Sequence, residues 1–316
     1  MIGRPLTKKL LELGARVVVA TLDEIHEDEK NNDIKYLISD LKYLSNCEKV
    51  CKDINIVFQL TGTTGSPEMT TKRPGTFFIE NLLPNINMLE AAKNEGVSHY
   101  LYTSTYGVYG NSSVMIEGDM WKSNPSDADK YAGWAKRMGE LQIEAYAKEY
   151  NWKNLHIVRP ANVYGPHANF STYNSMVVAS LIRRVFSGEN PLNVWGDGSA
   201  IRDFIYCDDV AEGMIKTIEL NVNGPVNLGS GKGSTIKELL KTIIDNVDET
   251  PEIIWDTSKP TGDAIRILDN TKADSYGIVP SITLTEGIKK TIQWYIKNKN
   301  NLDKKYNAFT NKGKRE

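Results

Sequence analysis

Cysteine and histidine are scarce, with three of the first (Cys47, Cys51, Cys207) and four of the second in 316 residues. Three thiols are too few for a disulfide framework and fit the reduced cysteines of a cytosol. Cys47 and Cys51 stand one helical turn apart, but the histidines are scattered singly. No set of about four zinc ligands forms, so no metal site is expected. No stretch approaches the ~18 apolar residues of a membrane span, and no basic–apolar–small signal opens the chain. Excess charge is missing as well. With 38 basic and 40 acidic residues the net charge is −2, and no long block of one sign interrupts the folded region. That removes the electrostatic ground for binding nucleic acid or an anionic membrane. The cytoplasm is the expected location. What remains is ordinary for a globular chain, 40% hydrophobic and 25% charged, and long enough for one large domain or two smaller ones.

Short β-branched runs alternate with helical patterns through the first half. "RVVVATL" (16–22), "IKYLISD" (34–40), "INIVFQL" (54–60), "HYLYTST" (99–105) and "LHIVRP" (155–160) read as buried strands. Between them "PLTKKLLELG", "ENLLPNINMLEAAKNEG" and "KYAGWAKRMGELQIEAYAKEY" carry apolar residues at three- and four-residue spacing. Gly14 and Gly96 sit where helices end. Such alternation predicts an α/β fold, a Rossmann-like doubly wound parallel sheet whose ligands bind beyond the carboxyl ends of the strands. That places a site near Thr21, Asp40, 61–65, 103–107 and 161–167. The expected division is a dinucleotide-binding domain over 1–164 plus about 204–227, a substrate-binding region over 165–300, and a polar, disordered tail over 301–316.

The opening lacks something a parallel sheet of this class normally has. "MIGRPLTKKLLELG" starts within the first helix. Gly3 fits the last glycine of a G-x-x-G-x-x-G turn whose two earlier glycines, and the strand before them, would precede Met1. The sequence is therefore read as truncated at its N-terminus. A central gap in the sheet would leave backbone groups unpaired, and the turn amides that cradle a pyrophosphate would be gone.

"YTSTYGVYG", then "GWAK", then "VRPANVYGPH" resemble the extended short-chain dehydrogenase/reductase family, the NAD-dependent epimerase/dehydratases of nucleotide sugars. "NVYGPHANFSTYNSMVVASLIRR", "VWGDGSAIRDFIYCDDVAEG", "NLGSGKGSTIKELLKTI" and "DTSKPTGDAIRILDNTKADSYGI" look like successive blocks of GDP-L-fucose synthase and its relatives. The resemblance covers roughly residues 3–295. It implies that Thr105 takes the place of the catalytic Ser/Thr, and that Lys136 holds the nicotinamide ribose and lowers a tyrosine's pKa. That tyrosine normally precedes the lysine by four residues. Here Ala132 stands four before Lys136, and Tyr131 five before. Five residues turn a helix by roughly 140° away from alignment where four leave about 40°, so Tyr131 works as acid/base only if the helix begins there or bulges. His167 of "YGPH" matches a histidine used as acid/base beside the sugar carbonyl, and an imidazole's ordinary pKa suits that work. Gly107 replaces that histidine's partner cysteine, which counts against a two-base 3,5-epimerisation. Tyr106 and Gly107 replace the acidic pair of the 4,6-dehydratases.

For the substrate, the resemblance implies that Asn162, Arg202 and Arg266 bind the diphosphate, for which arginine forks are suited, and that Trp195 covers the nucleotide. For the cofactor it implies Gly3 at the pyrophosphate turn and Asp40 and Leu41 beside adenine. Thr61 and Gly62 would pass the ribose and phosphates, with Asn81 supporting them. Thr21 and Asp23 end the second strand of the family pattern, and no arginine there holds a 2′-phosphate, which favours NAD over NADP. The expectation is an NAD-dependent nucleotide-sugar epimerase acting as a homodimer through the helix of residues 130–150. The alternatives are an NADPH-dependent keto-sugar reductase and a non-catalytic nucleotide-binding relative.

Overall fold

The computed structural model describes residues 1–316 except 24, 26–29, 64–71, 173–174, 260–261, 301 and 303–316. The expected tail thus lies outside the described residues save for Leu302, as do Thr64 and Gly65 of the expected 61–65 segment. The chain runs through α1 (Gly3–Glu12), β1 (Val17–Thr21), β2 (Ile34–Ile38), α2 (Leu44–Cys51), β3 (Ile56–Gln59), α3 (Pro74–Asn94) and β4 (His99–Thr103). A one-turn 3-10 helix, Tyr106–Val108, β5 (Val114–Met115) and a second 3-10 segment, Glu117–Lys122, precede α4 (Lys130–Tyr150) and β6 (Leu155–Pro160). Then come β7 (Asn162–Tyr164), α5 (Val177–Phe186), β8 (Leu192–Trp195), β9 (Ile201–Tyr206), α6 (Cys207–Glu219), β10 (Pro225–Leu228) and β11 (Gly233–Thr235). The chain continues with α7 (Ile236–Ile244), β12 (Ile253–Asp256), β13 (Ile265–Leu268), α8 (Thr271–Ser275) and α9 (Leu284–Asn298).

All five strands read from the β-branched runs are present, and those of the main sheet are parallel in the order β10-β6-β4-β3. One expectation needs correcting: β1 and β2 are half-buried rather than buried. Among the described residues they pair with each other as a separate parallel two-stranded unit, the gap that the missing strand predicts. The sheet is in two pieces because, among the described residues, no strand hydrogen-bonds both β1–β2 and the main sheet. Burial follows from that: a strand without a neighbour on one edge has less cover on its faces than β4 or β6, whose residues are nearly all buried.

Three apolar cores hold the elements. One gathers Leu6, Leu101, Val108, Val158, Met214 and Val226 on one face of the main sheet. A second, under α2 and α3, takes in Leu41, Cys47, Cys51, Met88, Leu89 and Ile157. The third belongs to the later elements and is built from Phe170, Ile182, Leu192, Leu239, Ile288 and Tyr295. α7 and α9 each begin with a complete capping box, Thr235 with Glu238 and Thr283 with Glu286, which satisfies the orphan amides of their first turns.

Candidate active site

Helix α4 lies against α3 and against the turn that follows β4. It comes close because Gly133 has no side chain: a Cβ there would overlap the Gly107 carbonyl oxygen and Pro125. Lys136, one turn further along, is buried. Its ammonium donates to the carbonyls of Thr61 (3.2 Å) and Thr103 (2.8 Å), at the carboxyl ends of β3 and β4. Burial pulls its pKa down to about 8, with Glu140 one turn on resisting. An ammonium has three protons and two are used here, leaving one for a ligand hydroxyl.

The neighbouring groups fit a dinucleotide's nicotinamide ribose. A Cβ at Gly62 would stand 3.3 Å from Asn81 Oδ1 and 3.4 Å from Lys136 Nζ, so glycine keeps a cradle open there. Asn81 accepts from the Thr63 amide at 3.0 Å and donates to the carbonyls of Thr63 and Phe77. Thr61 Oγ1 is buried with no hydrogen-bond partner among the described residues, an arrangement that proteins rarely leave unfilled. Gly3, the first residue of α1, faces Leu60. Thus Gly3, Thr61, Gly62, Asn81 and Lys136 gather at one place. Asp40 and Leu41 lie beyond the end of β2 and connect to it through Lys42, which pairs with Asp40 (3.4 Å) and with Glu80 (2.9 Å), the residue before Asn81. Thr21 closes β1, its hydroxyl accepting the Asp23 amide at 3.0 Å.

Behind Lys136 sits a buried polar network. The Glu140 carboxylate takes two hydrogen bonds from Arg159 (3.0 and 2.6 Å) and one from Ser104 (2.5 Å). Arg159 also donates to Tyr109 and to the Glu117 carbonyl. Arg137, held between the indoles of Trp121 and Trp134, donates twice to the Val108 carbonyl and once to that of Ser123. The turn bearing Thr105 is therefore pinned from α4.

The expected substrate residues Asn162 and Arg266 converge on Tyr106, which the sequence marks only as the absence of an acid. Thr105 caps the 3-10 turn, its hydroxyl accepting the Gly107 amide at 3.2 Å. The Tyr106 hydroxyl donates to Asn162 Oδ1 at 2.9 Å, and Asn162 in turn donates to the Asp203 carbonyl. The Arg266 guanidinium lies 4.5 Å over the Tyr106 ring. Burial holds this phenol above its usual pKa, against the pull of Arg266. Arg202 is part-buried nearby and donates to the Ile201 carbonyl. Arg266 donates to Asp129 Oδ2 at 2.6 Å, yet among the described residues its buried Nε and Nη2 have no hydrogen-bond partner. Nε is 3.4 Å from Asp263 Oδ2, an ion pair only. Asp203, also missed, accepts from the amides of Ser230, Gly231 and Leu268 and fixes this corner. An aspartate in a strand otherwise reading "FIY" was the signal that could have shown it.

Three expected residues are not brought to this cluster by the contacts seen. Tyr131 is in the first turn of α4, on regular helix with no bulge, and its ring is 41% exposed and faces Lys130. The five-residue spacing has the consequence geometry demands, so Tyr131 does not share the buried face of Lys136. His167, at a left-handed φ of 59°, lays its ring 4.5 Å from Trp294 of α9. Trp195 ends β8 and is 53% exposed, with Lys259 6.0 Å over its ring. Among the described residues no group of metal-ligating side chains forms, and no helix is long and apolar enough to cross a membrane.

Residues 1–229 match the model of the NAD dependent epimerase/dehydratase family. GDP-L-fucose synthase 1 of Arabidopsis thaliana is 30% identical over 233 residues, 71% of this chain and 72% of that protein. Among solved structures, the UDP-glucose 4-epimerase of Thermotoga maritima with UDP-glucose superposes with a TM-score of 0.82 at 28% identity, covering 94% of this chain and 96% of that one. The UDP-glucose 4-epimerase of Thermus thermophilus in complex with NAD gives 0.81 at 25% identity, with the same coverage.

Proposed function

The chain belongs to the NAD-dependent epimerase/dehydratase family, and from that premise we propose that it epimerises the sugar of a nucleotide sugar by transient oxidation or beside a carbonyl. The observation that carries this reading is Arg266. A guanidinium buried over Tyr106 with two nitrogens lacking hydrogen bonds is costly unless a ligand supplies acceptors. A diphosphate supplies them in the fork geometry arginine matches. Arg202 and Asn162 would share that diphosphate, and region 165–300, with Trp195, would cover the nucleotide. Lys136, Asn81, Gly62 and Thr61 would hold the ribose of the nicotinamide half, and Thr105 the reacting sugar oxygen. The chemistry a nicotinamide dinucleotide supplies there is hydride acceptance and return.

NAD is preferred because Thr21 and Asp23 present hydroxyl and carboxylate groups, suited to the free ribose hydroxyls. The likeness to GDP-L-fucose synthases keeps an NADPH-dependent keto-sugar reductase as the second reading. The same proposal includes a homodimer through α4, whose Leu141 and Tyr150 are exposed, and carbohydrate biosynthesis in the cytoplasm. The test is direct. The purified protein is supplied with NAD or NADPH, and absorbance in the reduced-nicotinamide band is followed as GDP- and UDP-sugars are added. Reduction of NAD by one sugar class supports the epimerase; oxidation of NADPH by a keto-sugar alone supports the reductase. No response to either, with no binding of nucleoside diphosphates, would leave a fold without this chemistry.

A further inference from the structure

The geometry points to Asp129 as the residue that exchanges the proton of the sugar hydroxyl, from the loop ahead of α4 rather than from the helix. This rests on the reading above and assigns a role to a residue that neither motif nor spacing marked. The helix position that should bear a phenol is Ala132, and Tyr131 faces outward. Tyr106 does not replace it: its hydroxyl proton is given to Asn162 and its ring is covered by Arg266. It serves as a platform. The His167 ring lies against Trp294 in the third core.

Asp129 has the placement these lack. Its side chain is 28% exposed, and its carboxyl lies directly over Gly107. A Cβ on that glycine would stand 3.2 Å from Asp129 Cγ and 3.3 Å from Oδ1, so the missing side chain at 107 is what makes room for the carboxylate. Gly107 is the residue whose amide donates to Thr105 Oγ1. The two carboxylate oxygens are differently occupied. Oδ2 accepts from Arg266 Nη1 at 2.6 Å and from Ser126 Oγ at 3.4 Å, while Oδ1, turned to the Thr105 turn, has no hydrogen bond among the described residues. Nor does the Asp129 side chain cap α4, although an aspartate at that position usually does. One oxygen is oriented by the arginine that would also meet the substrate diphosphate, and the other is left for a proton.

A bound nicotinamide dinucleotide would accept the hydride of the carbinol carbon and later return it. The hydroxyl proton would pass to Asp129 Oδ1 as the carbonyl forms, and Asp129 would give the same proton back to the oxygen when the carbonyl is reduced from the other face. Atoms and charge balance without a further reagent.

Asp129→Asn keeps the shape and an oxygen for Arg266 while removing the base. The expected result is a fall of at least about 100-fold in the rate at which bound NAD is reduced by the sugar, within the usual span for a positioned acid/base. Affinity for the nucleoside diphosphate, measured by calorimetry without turnover, should stay within about threefold, so the loss falls on the rate and not on binding. If D129N does not fold, Asp129→Glu carries the test: it retains the ion pair, and its rate should fall about tenfold with binding unchanged. D129N turning over within threefold of the wild type overturns the assignment. So does a loss confined to diphosphate affinity, which would make Asp129 a positioning residue for Arg266. A wild-type protein that reduces no cofactor with any sugar overturns the proposed function itself, and this assignment with it.

Discussion

Two arginines in this molecule are built almost alike and do opposite things. Arg159 and Arg266 are 1% and 6% exposed. Each lies over a tyrosine of the same nonapeptide, Tyr109 at 5.0 Å and Tyr106 at 4.5 Å, and each is 2.6 Å from a carboxylate, Glu140 and Asp129. The difference is completeness. Arg159 spends its donors on Glu140, Tyr109, the Glu117 carbonyl and Met120 Sδ, and nothing is left for a ligand. Arg266 keeps two nitrogens without hydrogen bonds, and its carboxylate partner is partly open to solvent. Burial of a charge does not by itself mark a site; burial with unsatisfied donors does.

That contrast can be broken experimentally. The largest effect is expected from Arg159→Met. It leaves the Glu140 carboxylate buried without its counterion, which should remove about 3–5 kcal/mol of stability, read from denaturant unfolding. A loss below about 1 kcal/mol would mean the network is not structural. Next, Arg266→Met should change stability by about 1 kcal/mol or less. Its affinity for UDP or GDP should fall on the order of 100-fold, the worth of about two charge-assisted hydrogen bonds, by calorimetry. Equal losses of stability in the two variants would erase the distinction drawn here.

A third test separates Lys136 from both. Its folded pKa of about 8 lies below the ordinary 10.5, so the folded protein releases this proton before the unfolded chain does. The penalty for burying the charge is complete below pH 8 and is relieved as pH rises from 8 towards 10.5. Between pH 8 and 10 the wild type should therefore gain roughly 2 kcal/mol relative to Lys136→Met, in unfolding curves recorded at each pH. A constant difference would show that the ammonium is not desolvated. Tyr131→Phe is the smallest: rate within twofold and stability within about 0.5 kcal/mol, as for an exposed hydroxyl.

Much of the fold could be read because it is local. "HYLYTST" and "LHIVRP" announce strands by β-branched and aromatic content, and β4 and β6 fall within them. Gly96 closes α3 at a φ of 70°, as a helix-terminal glycine should. Lys136 was legible because "GWAK" fixes its place on one helix. Asp129 was not, because its meaning depends on a loop folding back over Gly107 and on Arg266, 137 residues away in sequence. Tyr106 was read only as the absence of an acid, although Asn162 and Arg266 meet on it. Short pairings such as β7 with β9 and β5 with β13 escaped for the same reason: two or three residues carry no period, and their partners are distant.

The separation of β1–β2 from the main sheet reaches beyond topology. A parallel pair of strands, hydrogen-bonded to no further strand among the described residues, has little cooperative stability of its own. Its amides should exchange with deuterated solvent well before those of β4 and β6, as an independently opening unit. The groups expected at the adenosine end, Thr21 and Asp23, sit at the end of that unit, whereas Lys136 is bonded to Thr61 and Thr103 at the carboxyl ends of β3 and β4 and Asn81 to Thr63. A ligand spanning the two would act as a brace, slowing exchange in residues 17–38 while leaving the rest of the protein as it was.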